Sequence, residues 1–439
     1  MRKEEILEIL ADWNFWAKEL NNTGIERESY VQKLLALLTK TNQIVCISGV
    51  RRAGKSTLIT QVARELARSV GAENTLIVNF EDERFYERNL PTLRQIYDTY
   101  LERVRPGQRP FVFLDEVQEV EGWERFARGI HERNEARLAV SGSSARLLSS
   151  EFATLLTGRH VTFHVYPLNF REFLRFRNLD LTSEVEALAR RVQIKQLLGE
   201  YMEFGGFPEV VLSQEKRRIL LSYFESIITR DVAERFRVRE REKLRVLAKY
   251  YLTNISSPMT FNSVSRFLGL PLATVERFSE YLETANLVFF IKRFSFSLKE
   301  QEKAPRKTYS IDVGLSNSVG FRFTMHLGKL MENLVAISLR VRQSFDPELE
   351  VYYWRDPLGK EVDFVVKEGL RVKELIQVCR DPSDPETRRR EIKGLVKAMG
   401  GFGLKEGLVL TEDFEDEEEV DGKRIVYRPL WKWLLQAQP

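Results

Sequence analysis

The sequence has few cysteines, little net charge and no long apolar run. Its 439 residues include two cysteines, Cys46 and Cys379, each within an apolar stretch and far apart in the chain. This usage excludes a disulfide-stapled secreted domain and predicts two small buried thiols in a reducing compartment. No apolar run approaches the roughly 20 residues that a membrane helix needs. No apolar signal segment follows the charged residues 2–5. The sequence therefore predicts a cytoplasmic protein with no membrane contact.

The net charge is also small, so the protein surface as a whole is not expected to bind polyanions. The formal net charge is +4, and 43% of the residues are hydrophobic. These values are ordinary for a globular protein, so a nucleic-acid surface would have to be local. The length predicts about three domains with ample room for buried cores.

A phosphate-binding pattern organises the first part of the chain. Residues 44–48 predict a buried strand, and the loop after it matches G-x-x-x-x-G-K-[ST] with Gly49, Gly54, Lys55 and Ser56. Glycines let the backbone curve around a phosphate, and the loop N–H groups meet at the positive end of the following helix. We expect Lys55 to reach the phosphates and Ser56 to bind Mg²⁺. The predicted nucleotide-binding residues are Gly49, Val50, Arg51, Arg52, Ala53, Gly54, Lys55, Ser56 and Thr57.

Two acids follow a second apolar strand. Asp115 and Glu116 come directly after the apolar residues 111–114. Strands buried on both faces of a parallel sheet appear as continuous apolar runs, and ligands bind beyond their carboxyl ends. We expect Asp115 to hold Mg²⁺ with Ser56, and Glu116 to orient or deprotonate the attacking water. An acidic turn after a core strand is the alternative interpretation.

A serine-rich turn follows the next predicted strand, residues 137–140. Ser141 and Ser143 stand where a polar side chain would sense the terminal phosphate. Ser143 or Ser144 would also serve as the N-cap of a following helix, and the two interpretations are compatible.

An arginine in a short glycine turn is the last candidate of this region. Arg159 follows Gly158, and a guanidinium is suited to bidentate contact with phosphate. Acting in trans, it would require the protein to assemble. A plain surface arginine is the alternative, and both interpretations stay open here.

The middle of the chain predicts first a helical segment and then a DNA-binding module. Residues 167–236 are helical in pattern, and residues 237–324 follow the order helix, helix, turn, helix, hairpin of a winged helix. The helix over residues 273–283 would face a DNA major groove. Its candidate contacts are Thr274, Glu276, Arg277 and Ser279. The predicted wing carries Lys292, Arg293, Lys299, Lys303, Arg306 and Lys307. A protein-binding winged helix remains the alternative, because three glutamates dilute the positive charge of the helix.

The last segment, residues 325–439, predicts a small α/β domain. A helix with Glu332 is followed by a hairpin that carries Asp363, and by strands over residues 375–379 and 407–410. The acidic run 412–421 is typical of a solvated loop.

Together with Gly205-Gly206-Phe207-Pro208, these motifs resemble the archaeal ATPase family, a branch of AAA+/STAND-type P-loop proteins. The resemblance covers nearly the whole chain. It implies an α/β fold in which the P-loop strand is flanked by the acidic strand, ATP or ADP with Mg²⁺, and a homo-oligomer. It also implies four domains: a P-loop ATPase core with N-terminal helices (1–166), a helical lid (167–236), a winged helix (237–324) and a restriction-endonuclease-like domain (325–439).

The endonuclease-like domain departs from the PD-(D/E)xK pattern. Glu332 and Asp363 match the first two acids, but the third position has Gln377 and the lysine position has Cys379. Cleavage of this kind uses two carboxylates on a metal and a nearby ammonium. We expect a degenerate nuclease site used for binding or assembly, with Lys360 or Lys373 as the alternative source of the ammonium.

The sequence thus predicts a Mg²⁺-dependent ATP hydrolase that couples its nucleotide state to DNA binding or remodelling. One alternative is a slow nucleotide-gated switch or scaffold that acts on protein partners. A further alternative is an ATP-dependent DNA nuclease.

Overall fold

The computed structural model describes residues 1–16, 23–142, 156, 158–321 and 326–436. The chain divides into two compact units, Met1–Tyr166 and Pro167–Pro439. Ser143, Ser144 and Thr157 lie outside the described residues. In the described part, the first unit contains α1 (Lys3–Trp13), α2 (Glu28–Lys40), β1 (Ile44–Gly49), α3 (Lys55–Val70), β2 (Thr75–Asn79), α4 (Leu90–Arg103), β3 (Phe111–Asp115), α5 (Trp123–Glu132), β4 (Arg137–Ser141) and β5 (His160–Val165).

The five strands form one parallel sheet in the order β2–β3–β4–β1–β5. The α/β class with a parallel sheet is confirmed. The expectation that the P-loop strand β1 is flanked by the acidic strand β3 is wrong, because β4 lies between them. The apolar residues 138–140 of β4 are buried. Residues 139–141 pair with residues 45–47 of β1, and residues 137–140 pair with residues 111–114 of β3. The polar end of β4, Ser141, therefore lies between the loop and the two acids.

Strand β5 was absent from the sequence interpretation, which placed only a glycine turn near its start. β5 pairs with β1 along all six of its residues and forms an edge of the sheet. His160, Thr162 and His164 alternate with apolar residues, and three of the first four side chains of the strand keep partial exposure. This alternation is what a strand at a sheet edge allows, whereas the polar residues of the central strands β1, β3 and β4 lie at or next to the strand ends.

The second unit begins with a helical region and also contains two further sheets. Its described elements are α6 (Phe170–Phe176), α7 (Glu184–Ala189), α8 (Arg191–Phe204), α9 (Pro208–Leu212), α10 (Lys216–Ser226) with a π-helical continuation (Ile227–Glu234), α11 (Arg241–Thr253), β6 (Ser257–Met259), α12 (Phe261–Leu268), α13 (Leu272–Thr284), β7 (Val288–Ile291), α14 (Leu298–Lys303), β8 (Arg306–Ser310), α15 (Val313–Val319), α16 (Leu327–Phe345), β9 (Leu349–Arg355), β10 (Glu361–Glu368), β11 (Arg371–Val378), α17 (Pro385–Phe402), β12 (Glu406–Thr411), β13 (Asp416–Val420), β14 (Lys423–Pro429) and α18 (Leu430–Gln436).

The two sheets of this unit have the orders β6–β8–β7 and β13–β14–β12–β11–β10–β9. Part of the acidic run predicted to be a solvated loop is in fact the edge strand β13, which pairs antiparallel with β14. The prediction of a loop was wrong here because a strand at the edge of a sheet can be charged and still pair, and the side chains of β13 stay exposed or half-buried. Within the described ranges, no helix is both long and apolar enough to cross a membrane.

The Gly205-Gly206 pair has a structural explanation. Gly205 has φ of +75°, and a Cβ atom there would lie 2.0 Å from Asp312 Oδ1. The backbone N–H of Gly206 donates to Asp312 Oδ2 at 2.7 Å, and Leu315 N donates to Asp312 Oδ1 at 3.2 Å. The buried Asp312 thus caps α15 and binds the end of α8 at once. Only a residue without a side chain leaves room for Asp312 at position 205, whereas a Cβ atom at Gly206 would lie 2.3 Å from the carbonyl oxygen of Leu168.

Candidate functional site: the P-loop and the ends of three strands

The P-loop leaves β1 at Gly49 and enters α3 at Lys55. All six residues of β1 are buried. A Cβ atom at Gly49 would lie 2.1 Å from the carbonyl oxygen of Val165 on β5, so the neighbouring strand itself requires glycine at this position. Arg52 and Gly54 both have positive φ, 69° and 90°. Such residues turn successive N–H groups to one side of the loop, which forms a concave site for an anion.

Lys55 folds back onto the loop. Its Nζ donates to the carbonyl oxygens of Gly49 at 3.1 Å and Val50 at 3.3 Å. The residue is 6% exposed, although it stands at the first position of a helix. The ammonium therefore lies against the start of the phosphate-binding loop, where the sequence pattern places it.

Asp115 is the buried acid of the site. Ser141 Oγ donates to Asp115 Oδ1, and the Ser56 hydroxyl makes a second hydrogen bond to the same carboxyl group. Burial raises the pKa of Asp115, and the two serine hydrogen bonds oppose that rise. The carboxyl end of β3, the carboxyl end of β4 and the start of α3 thus meet at one carboxylate, which brings Ser56 and Asp115 together.

Glu116 stands beside this group in an unusual backbone conformation. Its φ is 51° and its ψ is 42°, in the left-handed region that few non-glycine residues adopt. Its backbone N–H donates to Ser141 Oγ at 3.2 Å. Its carboxylate accepts a hydrogen bond from Gln118 Nε2. Ser141 therefore contacts both acids, and the turn after β3 is held in place by β4.

The sequence analysis missed Gln118, which donates to Glu116, and Arg27, which binds the P-loop at Ala53. Arg27 is 3% exposed, its Nη1 donates to the carbonyl oxygen of Ala53 at 3.0 Å, and its guanidinium lies 4.2 Å from the centre of the Tyr30 ring. The adjacent backbone is bound to α3 through Gln61 Nε2, which donates to the carbonyl oxygens of Thr23 and Ile25. No local pattern marks the contact of Arg27 with the loop, because Ala53 lies 26 residues downstream.

Arg159 directly precedes β5 and lies at the amino end of the parallel strands. Its carbonyl oxygen accepts from Ile44 N at the start of β1, whereas the P-loop follows the end of that strand. Its Nη2 lies 3.2 Å from Glu132 Oε1. Within its own chain, Arg159 thus lies at the opposite end of β1 from the P-loop. A role at the site of a neighbouring chain stays a prediction.

The predicted DNA-reading helix is α13, and only part of it agrees with the prediction. Glu276 and Arg277 are exposed, whereas Thr274 and Ser279 are buried. Ser279 Oγ is hydrogen-bonded to Tyr251 OH, so it stabilises the helix packing instead. The predicted wing also differs from the expectation, because it contains the helix α14 and because Lys307 is buried.

The predicted degenerate nuclease residues come together around Lys307. Its Nζ lies 3.0 Å from Glu332 Oε1, 2.6 Å from Glu361 Oε1 and 2.8 Å from Asp363 Oδ1. Burial, and then the Asp363 carboxylate, raise the pKa of Glu332 to about 7. Burial lowers the pKa of Lys307, but the Asp363 and Glu332 carboxylates outweigh it and raise this pKa well above its usual value.

Gln377 contributes through hydrogen bonds. Its Oε1 accepts from Asp363 N at 3.2 Å, and its Nε2 donates to Glu391 Oε2 at 2.7 Å. Lys373, a predicted source of the ammonium, is instead ion-paired with Glu368 and half exposed. Lys360, the other predicted source, lies in the turn before β10, where its backbone N–H donates to Asp356 Oδ1. Within the described part of the chain, no group of three or more His, Cys, Asp or Glu side chains is arranged to hold a metal ion.

Three family models match the sequence. One is described as an AAA domain and matches residues 41–174. The other two are domains of unknown function, DUF8612 over residues 195–325 and DUF4143 over residues 327–431.

Two curated relatives align with almost the whole chain. Uncharacterized protein MJ1544 of Methanocaldococcus jannaschii is 31% identical over 408 residues, which cover 90% of this chain and 88% of the relative. An uncharacterized protein of Haemophilus influenzae is 30% identical over 428 residues, which cover 95% of this chain and 100% of the relative.

Among solved structures, the chain is similar to AMPPCP-bound DnaA from Aquifex aeolicus. The identity is 17%, the TM-score is 0.27, and the match covers 58% of this chain and 87% of that one. PCH-2 from C. elegans matches with 13% identity and a TM-score of 0.27, covering 58% of this chain and 66% of that one.

The parallel sheet, the loop geometry and the match over residues 41–174 define a protein with a P-loop domain of the AAA class. The chain belongs to the family of MJ1544 and its Haemophilus influenzae relative. The AAA part of the resemblance is thereby confirmed. Its winged-helix and endonuclease-like parts stay predictions, because the two models over those regions name no function.

Proposed function

We propose that the chain is a Mg²⁺-dependent ATP-binding and ATP-hydrolysing protein. The observation that carries the proposal is the buried Asp115 carboxylate, hydrogen-bonded to Ser56 at the start of α3 and to Ser141 at the end of β4. The residues present fit a Mg²⁺-bound nucleotide, because a hydroxyl and a carboxylate suited to Mg²⁺ lie beside a concave loop that carries an ammonium. A bound nucleotide would supply the phosphoanhydride that is hydrolysed.

Each group of the site has a distinct part in this proposal. The loop N–H groups of residues 49–57 and Lys55 hold the phosphates, and Ser56 with Asp115 holds Mg²⁺. Glu116 orients and deprotonates the attacking water. Ser141 positions both acids. Arg159 would complete the site of a neighbouring copy, so the proposal includes a homo-oligomer.

We further propose that the nucleotide state is coupled to DNA binding or remodelling through the second unit. A cleft beside α17 supports this, because its charged lining has five basic side chains (Lys360, Arg388, Arg389, Lys393 and Lys397) and two acidic ones, Glu418 and Asp421, the first of which is paired with Arg388. Arg389 and Lys393 are exposed. Clustered basic side chains on one helix suit contact with the phosphates of a nucleic acid.

The second candidate function is a slow nucleotide-gated switch or scaffold for protein partners. The specific observation in its favour is the hydrogen bond from Gln118 to the Glu116 carboxylate, which occupies the group that would activate water. The ATP-dependent nuclease is the candidate that the geometry favours least, because an ammonium already lies among its carboxylates.

The experiment that separates these functions is steady-state ATP hydrolysis by the purified protein, alone and with single-stranded, duplex and branched DNA. Strong stimulation by one DNA form supports the coupled ATPase. Tight nucleotide binding with a low rate that no DNA changes supports the switch. No nucleotide binding at all contradicts both.

A further inference from the structure

The buried Lys307 stands where a cation would be expected in a carboxylate site. It comes from β8, and its side chain is 1% exposed. Its Nζ contacts one oxygen from each of three carboxylates, Glu332 on α16 and Glu361 and Asp363 on β10, at distances of 2.6–3.0 Å. Lone lysines are almost never buried to this degree, so the ammonium is held by these carboxylates.

Other groups also contact the carboxylates of the cluster. Tyr309 OH donates to Glu332 Oε1 at 2.7 Å, and Val378 N donates to Asp363 Oδ2 at 2.9 Å. On the more exposed side, Arg355 Nε lies 3.9 Å from Glu361 Oε2. Hydrogen bonds thus orient the Glu332 and Asp363 carboxylates, and all three carboxylates point an oxygen at Nζ.

We infer that Lys307 is a built-in cation that fills a latent divalent-cation site of Glu332, Glu361 and Asp363. The chain's own ammonium keeps free metal ions out of this site and binds β8 to α16 and β10. Removal of the ammonium would leave three carboxylates around one empty point, and a divalent ion would then replace it.

The oxygen distances also predict which ion the emptied site would prefer. Ca²⁺ accepts oxygen ligands at about 2.3–2.6 Å in flexible geometry, whereas Mg²⁺ needs about 2.0–2.1 Å in a strict octahedron. The oxygens lie 2.6–3.0 Å from Nζ, so Ca²⁺ needs the smaller contraction. We therefore expect selectivity for Ca²⁺ over Mg²⁺.

The test compares the full-length protein with Lys307→Ala, by thermal unfolding and by calorimetric titration with CaCl₂ or MgCl₂ and no nucleotide. In the wild type, we expect Ca²⁺ at about 1 mM, the range of weak oxygen sites, to leave the unfolding of the second unit unchanged. In Lys307→Ala, we expect the midpoint to fall by several degrees, Ca²⁺ to restore at least half of that loss, and one additional Ca²⁺ to bind per chain.

Two further variants complete the test. Lys303→Ala removes an exposed lysine of the same segment, and it should behave as the wild type does. Lys307→Met combined with Glu332→Gln removes the ammonium together with one carboxylate, so it should be more stable than Lys307→Met alone and should not respond to Ca²⁺. Where Lys307→Ala fails to fold, Lys307→Met supplies the Ca²⁺ measurement, because it keeps all three carboxylates and its unbranched side chain fills the space of the lysine stem. Ca²⁺ binding at this site in the wild type, or no Ca²⁺ response in Lys307→Ala, would overturn the inference.

Discussion

Ser141 donates a hydrogen bond to the buried carboxylate of Asp115, and the two residues end neighbouring parallel strands. The same hydroxyl oxygen accepts from Glu116 N. The relationship exists because β4 lies between the acidic strand and the P-loop strand. It gives one small side chain influence over both acids of the site.

Ser141→Ala should therefore slow hydrolysis more than it weakens nucleotide binding. A hydrogen bond to a charged group contributes about 1.5–3 kcal/mol, which corresponds to a loss of roughly 10- to 100-fold in rate if the contact acts in the transition state. Steady-state turnover and nucleotide affinity should be measured together. Ser69→Ala, on the same unit but bonded only to the Leu66 carbonyl, is the control. Equal losses in both quantities, or none, would contradict a positioning role.

Glu116→Gln should bind ATP and lose turnover. The amide keeps the size and one acceptor of the carboxylate but cannot take a proton from water, and general bases contribute about 10²- to 10⁴-fold. Nucleotide affinity and single-turnover hydrolysis give the two readouts. Glu119→Gln, an exposed acid three residues on, should leave both unchanged. Full activity of Glu116→Gln would remove Glu116 from its proposed role.

Arg27→Ala should loosen the P-loop. The change removes the donor to the Ala53 carbonyl and the ring contact with Tyr30, and an unpaired buried polar group costs about 1–3 kcal/mol. We expect nucleotide affinity to fall by about tenfold. Arg27→Lys should restore little, because an ammonium lacks the planar face that lies on the ring. Arg68→Ala, at a side chain that is 67% exposed, serves as the control.

Gly205→Ala and Gly199→Ala should have opposite effects on stability. The first places a Cβ atom 2.0 Å from Asp312 Oδ1 at a φ of +75°, and we expect a loss of several degrees in the unfolding midpoint. The second fills open space in the interior of α8, where alanine is favoured over glycine by roughly 0.5–1 kcal/mol. Thermal unfolding of both variants under one condition checks the pair. Equal effects would contradict the close approach at Gly205.

Asp312 should make the second unit more stable as the pH falls toward 4. Burial raises its pKa to about 6 from an ordinary 3.8, against the opposing effect of three backbone N–H groups. A carboxyl group with a raised folded-state pKa favours the folded state most when protonated, and that advantage is lost as the pH rises from about 4 to 6. Between pH 7 and pH 4.5 the change is on the order of 2 kcal/mol. Unfolding of the wild type and of Asp312→Asn should be compared at both pH values, and parallel changes would contradict the assignment.

The local chemistry of the nucleotide site could be predicted from the sequence because its motifs are contiguous. The loop before Lys55, the helix that begins there and the acids after β3 each depend on near neighbours in the chain. The order of the strands in the sheet does not depend on near neighbours, because strands that are far apart in the chain pair with each other. The same limit explains why β5 and Arg27 were missed. It also explains why Lys307 was wrongly assigned to an exposed wing. Its position in the sequence matches a wing, but its carboxylate partners lie 25 to 56 residues downstream.

The position of Lys307 also affects how this protein can be divided. One family model ends at residue 325 and the next begins at residue 327, so the natural place to cut by sequence is residue 326. A fragment that starts there keeps Glu332, Glu361 and Asp363 but loses the ammonium between them. The fragment that ends there exposes to solvent Lys307 and Tyr309, which are buried in the whole chain. A fragment that keeps Lys307 together with its three carboxylates must extend at least from β8 through β10. Such a fragment crosses the boundary between the two family models.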